Sequence, residues 1–179
     1  MATLEMTTDA RKRRPAAGAT APADAVSVRP ALLGDVGAVA ELINGYAARG
    51  EMLPKSLSQV YQNVRDFQVA ESLRRIVGCG ALHVLWDDLG EIRSLAVAEP
   101  YRRRGIGGRI VQALLAEARE LGLPRVFALT YKPEFFLRQG FVRVERESLP
   151  RKIWLDCIDC VKFPQCDEVA VISSLEAPP

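Results

Sequence analysis

Nowhere among the 179 residues is there an apolar run near the roughly 20 residues that a membrane-spanning helix needs. The opening MATLEMTTDA is mixed, and the RKRR that follows leads into no apolar stretch, so no secretory signal is expected. Charge of one sign is also scarce: 24 Lys and Arg face 22 Asp and Glu, and a net charge of +2 creates no field to attract nucleic acid. No internal repeat occurs. Cysteine is limited to four, and without an export signal these point to a reducing compartment, where thiols stay reduced or bind metal. The rest is ordinary. At 49% apolar and 26% charged, with length enough for one domain around one core, the sequence reads as a soluble, cytoplasmic protein without membrane or nucleic-acid partners. Nothing in it decides for or against a homo-oligomer.

One stretch organises the chain: EIRSLAVAEPYRRRGIGGRIVQALLAEA, from Glu91 to Ala118. A strand-like EIRSLAV reaches a turn at Glu99-Pro100, then RRRGIGG, then apolar residues at helical spacing: Ile106, Ile110, Val111, Leu114 and Leu115. Glycines feeding a helix start make an anion site, because the first-turn N–H groups lack internal partners and the helix dipole adds positive charge there. Gly105, Gly107 and Gly108 allow close approach to the backbone, and Arg102, Arg103 and Arg104 add charge. This is a pyrophosphate cradle in outline.

Residues 1–24 read as a disordered tail, poor in large apolar residues and carrying a basic cluster. A domain over 25–148 follows. It opens with a strand, AVSVRP, and a helix, ALLGDVGAVAELINGYAA, whose core face is Val36, Val39, Ala40, Ile43 and Ala47. After a linker, Ser56 is a candidate N-cap for LSQVYQNVRD, with Leu57, Val60, Tyr61 and Val64 on its apolar face. FQVAE, RRIVGCGALHVLW and the Glu91 strand form an antiparallel meander. Beyond the long helix, closed by Gly122 and Pro124, come a buried strand VFALT and a short helix KPEFFLRQ. Gly140 follows as its C′ residue, and then a strand, FVRVER. Residues 149–179 form a cysteine-containing extension ending in EVAVISSL, which completes the sheet. This order implies an α/β (α+β) fold with a mixed, mostly antiparallel sheet.

The run Arg102-x-x-Gly105-x-Gly107 after an apolar strand, followed by a helix and later by FFLRQGF (Phe135 to Phe141), resembles the GNAT acetyltransferases. Further pieces resemble the acetyltransferase domain of bacterial N-acetylglutamate synthases, in the short form without an amino-acid-kinase domain. They are GEMLPKS (Gly50 to Ser56), GEIRSLAV (Gly90 to Val97), FALTYK (Phe127 to Lys132) and WLDCIDCVKFPQCDE. The resemblance implies a GNAT fold, its central sheet splayed at the acetyl-CoA site with helices on both faces. It also implies acetyl transfer from acetyl-CoA to the α-amine of L-glutamate or L-glutamine, at the head of arginine biosynthesis.

By that resemblance, Leu95, Ala96 and Val97 pair with the pantetheine arm. The loop Arg102, Arg103, Arg104, Gly105, Ile106, Gly107 and Gly108 holds the pyrophosphate. An α-amine is mostly ammonium at neutral pH and must lose a proton before it attacks. Glu91, in a half-buried strand, is the candidate base. Strand alternation puts Glu91, Arg93, Leu95 and Val97 on one face unless the splay brings a bulge. An amide near Leu95 to Val97 can stabilise the oxyanion. Many GNAT enzymes carry a tyrosine acid on the late helix, where this sequence has Phe136. That leaves Tyr131, a water, or unassisted thiolate departure. A dicarboxylate substrate calls for cations, and Lys55, Lys132 and Arg93 are the candidates.

Cys157, Cys160 and Cys166 form a C-x2-C-x5-C pattern whose first interval suits zinc. Cys79, His83, Asp156, Asp159 or Asp167 would have to complete such a site. Three reduced thiols packing the extension are favoured over zinc. Two other functions compete: a GNAT enzyme acting on a different amine or a protein N-terminus, and a non-catalytic module sensing CoA or metal.

Overall fold

The computed structural model describes residues 26–149, 157–162 and 164–175. The expected tail, Asp156, and parts of the extension lie outside these residues. Strands β1 (Ser27–Pro30), β2 (Phe67–Ser72), β3 (Arg75–Trp86), β4 (Leu89–Val97), β5 (Arg125–Thr130), β6 (Val142–Val144) and β7 (Val169–Ser174) form one seven-stranded sheet. Its order is β1-β2-β3-β4-β5-β7-β6. Every pairing is antiparallel except β4 with β5. The cysteine-bearing extension thus ends in a strand between β5 and β6. Among the described residues, no helix is long and apolar enough to cross a membrane.

Helix α1 (Val36–Ala47) and helix α2 (Leu57–Gln62) cover one face, packing on Val69, Cys79, Ala81 and Ala96. Helix α3 (Ile106–Glu120) covers the other, burying Ile110, Val111 and Leu114 completely against Leu82, Ile92 and Val126. Each such side chain contributes about 1.5–3 kcal/mol of transfer free energy, an upper bound because the unfolded chain already buries some area. The short helix α4 (Pro133–Leu137) joins that second core through Phe136.

Two helix readings need correction. Tyr46, not Ala47, completes the buried face of α1 with Val36, Val39, Ala40 and Ile43. Its position three residues after Ile43 returns it to the core stripe. Helix α2 stops at Gln62, because Asn63 leaves the helical region (φ −112°, ψ 21°) and a 3-10 turn follows. Of its predicted face only Val60 is buried; Leu57 and Tyr61 are about half exposed. Ser56 does cap the helix: its hydroxyl accepts from the Gln59 amide at 3.1 Å, and the Gln59 side chain accepts from the Ser56 amide at 2.8 Å.

Candidate active site

Strands β4 and β5 pair only at Gly90 with Val126 and Glu91 with Phe127. Beyond that point each continues without the other, so the sheet opens into a wedge with Glu91 at its apex. The wedge is the floor of a cavity of about 1740 Å³. The local cause lies in β4. Ser94 adopts φ +56°, a left-handed conformation rare for a residue with a Cβ, and Ser94 and Leu95 together oppose one residue of β3. The bulge inverts the alternation. Glu91 and Arg93 share the α1 face with Ala96, whereas Leu95 and Val97 turn to the α3 face. The one-face arrangement therefore fails through the anticipated bulge.

Glu91 is 4% exposed, and apart from Ser72 it is the one polar or charged residue among the described residues that is buried. A carboxylate is rarely taken out of water without a reason. Around it, Lys55, Arg93, Leu95, Ala96, Val97, Arg102, Arg103, Gly105, Ile106, Gly107, Gly108 and Lys132 all line the cavity. Arg104 does not; its guanidinium lies over the Tyr101 ring, 5.4 Å from the centroid.

The cradle has the geometry of an anion site. Gly105 caps α3 at φ +76°, a conformation that costs a residue with a Cβ roughly 1–2 kcal/mol. The first intrahelical bond runs from the Arg109 amide to the Gly105 carbonyl at 3.1 Å, so the Ile106, Gly107 and Gly108 amides precede it. A Cβ on Gly107 would stand 3.3 Å from the Phe135 ring, inside the cavity wall. These features fit a pyrophosphate. The backbone bond from the Ala98 amide to the Val77 carbonyl fixes the strand's phase. It turns the Val97 backbone toward the wedge, where the Tyr46 hydroxyl donates to the Val97 carbonyl at 2.5 Å.

Residues near the acceptor end are held by specific contacts. Asn44 brackets the Lys55 backbone, donating to its carbonyl at 2.9 Å and accepting from its amide at 3.0 Å. The Lys132 ammonium sits 2.5 Å from Glu51, so a substrate carboxylate must compete with Glu51 for it. The hydrogen bond from Lys132, aided by one from Arg49, holds the Glu51 carboxyl below the usual carboxylate range. Arg49 also reaches Glu99, which pairs with Arg102 at 2.8 Å, so a chain of ion pairs rims the cavity from β5 to the cradle.

Phe136 brings no hydroxyl. It is buried and edge-on to both Phe135 and Phe141, with centroids 5.2 Å away. The Tyr131 hydroxyl meets the Lys162 ammonium, and burial pushes its pKa up. Among the described residues, no three His, Cys, Asp or Glu side chains gather as a metal site. His83 is engaged by Asp66 at 3.0 Å, and Cys79 is fully buried against the Ser94 carbonyl at 3.5 Å. Cys157, Cys160 and Cys166 instead line the cavity. Sequence reasoning missed Tyr46, Glu51 and Gln139 as wall residues; Tyr46 carried a signal in its spacing on α1, and Glu51 and Gln139 lie within GEMLPKS and FFLRQGF.

Comparison with known proteins decides the family. Residues 46–141 match the acetyltransferase (GNAT) family. The chain belongs to that family. An uncharacterized N-acetyltransferase of Chlorobaculum tepidum is 41% identical over 154 residues, 86% of this chain and 99% of the relative. An amino-acid acetyltransferase of Mycobacterium tuberculosis is 49% identical over 130 residues, 71% of this chain and 74% of the relative. Among solved structures, a Mycobacterium tuberculosis protein in complex with CoA superposes with a TM-score of 0.74 at 38% identity, covering 84% of this chain and 99% of that one. The N-acetylglutamate synthase of Neisseria gonorrhoeae, complexed with CoA and N-acetyl-glutamate, gives a TM-score of 0.74 at 27% identity. That match covers 84% of this chain and 35% of the synthase. The fold is thus a GNAT fold.

Proposed function

We propose that this chain transfers the acetyl group of acetyl-CoA to the α-amine of L-glutamate, with L-glutamine as a second acceptor, and so opens arginine biosynthesis. The observation that carries the reading is one buried carboxylate, Glu91, at the apex of a wedge whose wall also holds Lys55, Arg93 and Lys132. The name of the Mycobacterium tuberculosis relative and the N-acetyl-glutamate in the Neisseria gonorrhoeae structure support it.

Acetyl-CoA, when bound, supplies the activated acyl group; the chain supplies position and a proton acceptor. In this reading the Gly105 to Gly108 amides, with Arg102 and Arg103, hold the pyrophosphate, while the backbone of Leu95 to Val97 faces the pantetheine arm. Glu91 takes the ammonium proton of the acceptor, directly or through a water, a step worth about 10²–10⁴ in rate. A strand amide of β4 receives the developing oxyanion. Lys55 and Arg93 bind the substrate carboxylates, and Lys132 joins them by exchanging Glu51 for the substrate.

Steady-state kinetics of Lys55→Ala and Lys132→Ala test the pocket. Hydrogen bonds to charged groups are worth about 1.5–3 kcal/mol, so the glutamate KM should rise roughly tenfold or more in each while acetyl-CoA binding is kept. Unchanged KM in both variants refutes this assignment.

A further inference from the structure

The cysteine segment is not used by the transfer chemistry, yet it forms part of the same cavity. Cys157, Cys160, Pro164, Cys166 and Glu168 stand in the wall with Glu91 and Arg93. Among the described residues, the Arg146 guanidinium donates to the Cys166 carbonyl at 2.7 Å, and Lys162 meets the Tyr131 hydroxyl after β5. Anything that alters this segment alters the cavity.

Two of its cysteines stand at the two ends of one tight turn. The Cys160 amide donates to the Cys157 carbonyl at 3.0 Å, which closes a turn from residue i to i+3. Such a turn brings its end Cα atoms within about 7 Å, and disulfides span about 4.4–6.8 Å between Cα atoms. The bond can therefore form without unfolding the turn. Both cysteines are partly exposed, so a small oxidant can reach them. Cys166 is differently placed, its thiol donating to the Glu168 carboxylate at 3.6 Å. Cys79 lies fully buried on β3. Disulfides in a reducing compartment are mostly transient and redox-sensing, which suits a pair in the wall of a working cavity.

We propose that Cys157 and Cys160 are a reversible thiol switch, oxidised by a hydroperoxide to an internal disulfide that distorts the cavity wall and slows acetyl transfer. The chemistry balances with hydrogen peroxide. One thiolate attacks a peroxide oxygen, the O–O bond breaks, hydroxide leaves, and a sulfenic acid forms. The second thiol attacks that sulfur; the S–S bond forms, the S–O bond breaks, and the departing oxygen takes the thiol proton as water. Two electrons pass from the sulfurs to the peroxide, which ends as two waters once the hydroxide takes up the proton that the first thiol shed, and a dithiol reductant reverses the result.

The test treats the reduced full-length protein with hydrogen peroxide and reads intact mass, peptide-mapped disulfides and acetyl-CoA turnover. The expected product has lost two hydrogens, carries a Cys157–Cys160 bond, and turns over about tenfold more slowly or worse, since ~1 Å of misplacement can cost a hundredfold. Dithiothreitol restores the rate. Cys157→Ser and Cys160→Ser form no such bond and keep their rate under the same treatment, whereas Cys166→Ser behaves as wild type. Disulfide mapping reads the bond whatever the acceptor amine, so a failure there is distinct from a failure of the glutamate assignment. A bond through Cys166, a mixed disulfide with CoA instead of the internal one, no bond at all, or a mapped bond with unchanged turnover overturns the proposal.

Discussion

Replacing Glu91 by glutamine probes the site at its apex. The side chain keeps its shape and its capacity to hydrogen-bond but can no longer take a proton. Glu91 is 4% exposed, which limits how easily a solvent base takes its place. Another carboxylate in the wall, Glu51, is committed to Lys132 and Arg49. The loss should therefore sit in the middle of the range for a general base, about a thousandfold in kcat, or ~4 kcal/mol of barrier. CoA release followed with a thiol reagent measures it. Acetyl-CoA affinity by calorimetry should stay within a factor of about two, because the cradle lies at the α3 start and uses free backbone amides. Raising the pH should recover part of the rate, since the acceptor amine then sheds its proton unaided. A folded Glu91→Gln protein with kcat within about fivefold of wild type would refute the reasoning, as would a loss confined to acetyl-CoA affinity.

Three further outcomes follow from the geometry. Gly107→Ala sets a methyl against the Phe135 ring, which is itself packed edge-on to Phe136, whereas Gly108→Ala meets only the mobile end of Gln139 at 3.1 Å. Acetyl-CoA Kd should rise about tenfold for the first, ~1.4 kcal/mol, and less for the second; the reverse order contradicts the cradle. Ser56→Ala removes a hydroxyl that caps α2 and should cost about 1 kcal/mol in denaturant unfolding. Burial pushes the Cys79 thiol up to about 12, so in the folded state it stays protonated where an unfolded thiol has ionised. Its contribution is complete below the unfolded pKa near 8.5 and is lost as pH rises toward 12, by up to about 1.4 kcal/mol per pH unit. Cys79→Ala should flatten that alkaline decline relative to wild type, and parallel curves would deny it.

The sequence exposed what local chemistry writes down. The loop that opens α3 was legible because Gly105 and Gly107 sit at fixed offsets, one just before and one just inside a helix with 3.6-residue spacing that begins at Ile106. The meander was legible as two strand-like runs, FQVAE and RRIVGCGALHVLW; in the turn between β2 and β3, Leu73 and Arg74 take positive φ, a conformation neither residue type announces. Glu91 was legible as an acid in a strand, but its apex position was not. The β4–β5 contact depends on two short pairings between segments more than thirty residues apart, and no local pattern encodes where they stop. The bulge was likewise hidden, since serine carries no mark of the left-handed conformation that Ser94 adopts. Lys132 was found by type, while its pairing with Glu51 arises only when α1 and β5 are brought together. Arg104 shows the opposite error: it has the charge and the position in the loop, but its side chain turns to Tyr101.

The proposed acceptor is an acidic amino acid. Its most direct test is CoA release from acetyl-CoA by the purified protein, with free amino acids added one at a time at equal concentration. L-Glutamate should accelerate release most, L-glutamine should come next, and the other neutral amino acids and the basic ones should stay near the rate without acceptor. If no amino acid accelerates release, or a basic one does so best, the account of Glu91 among Lys55, Arg93 and Lys132 is contradicted.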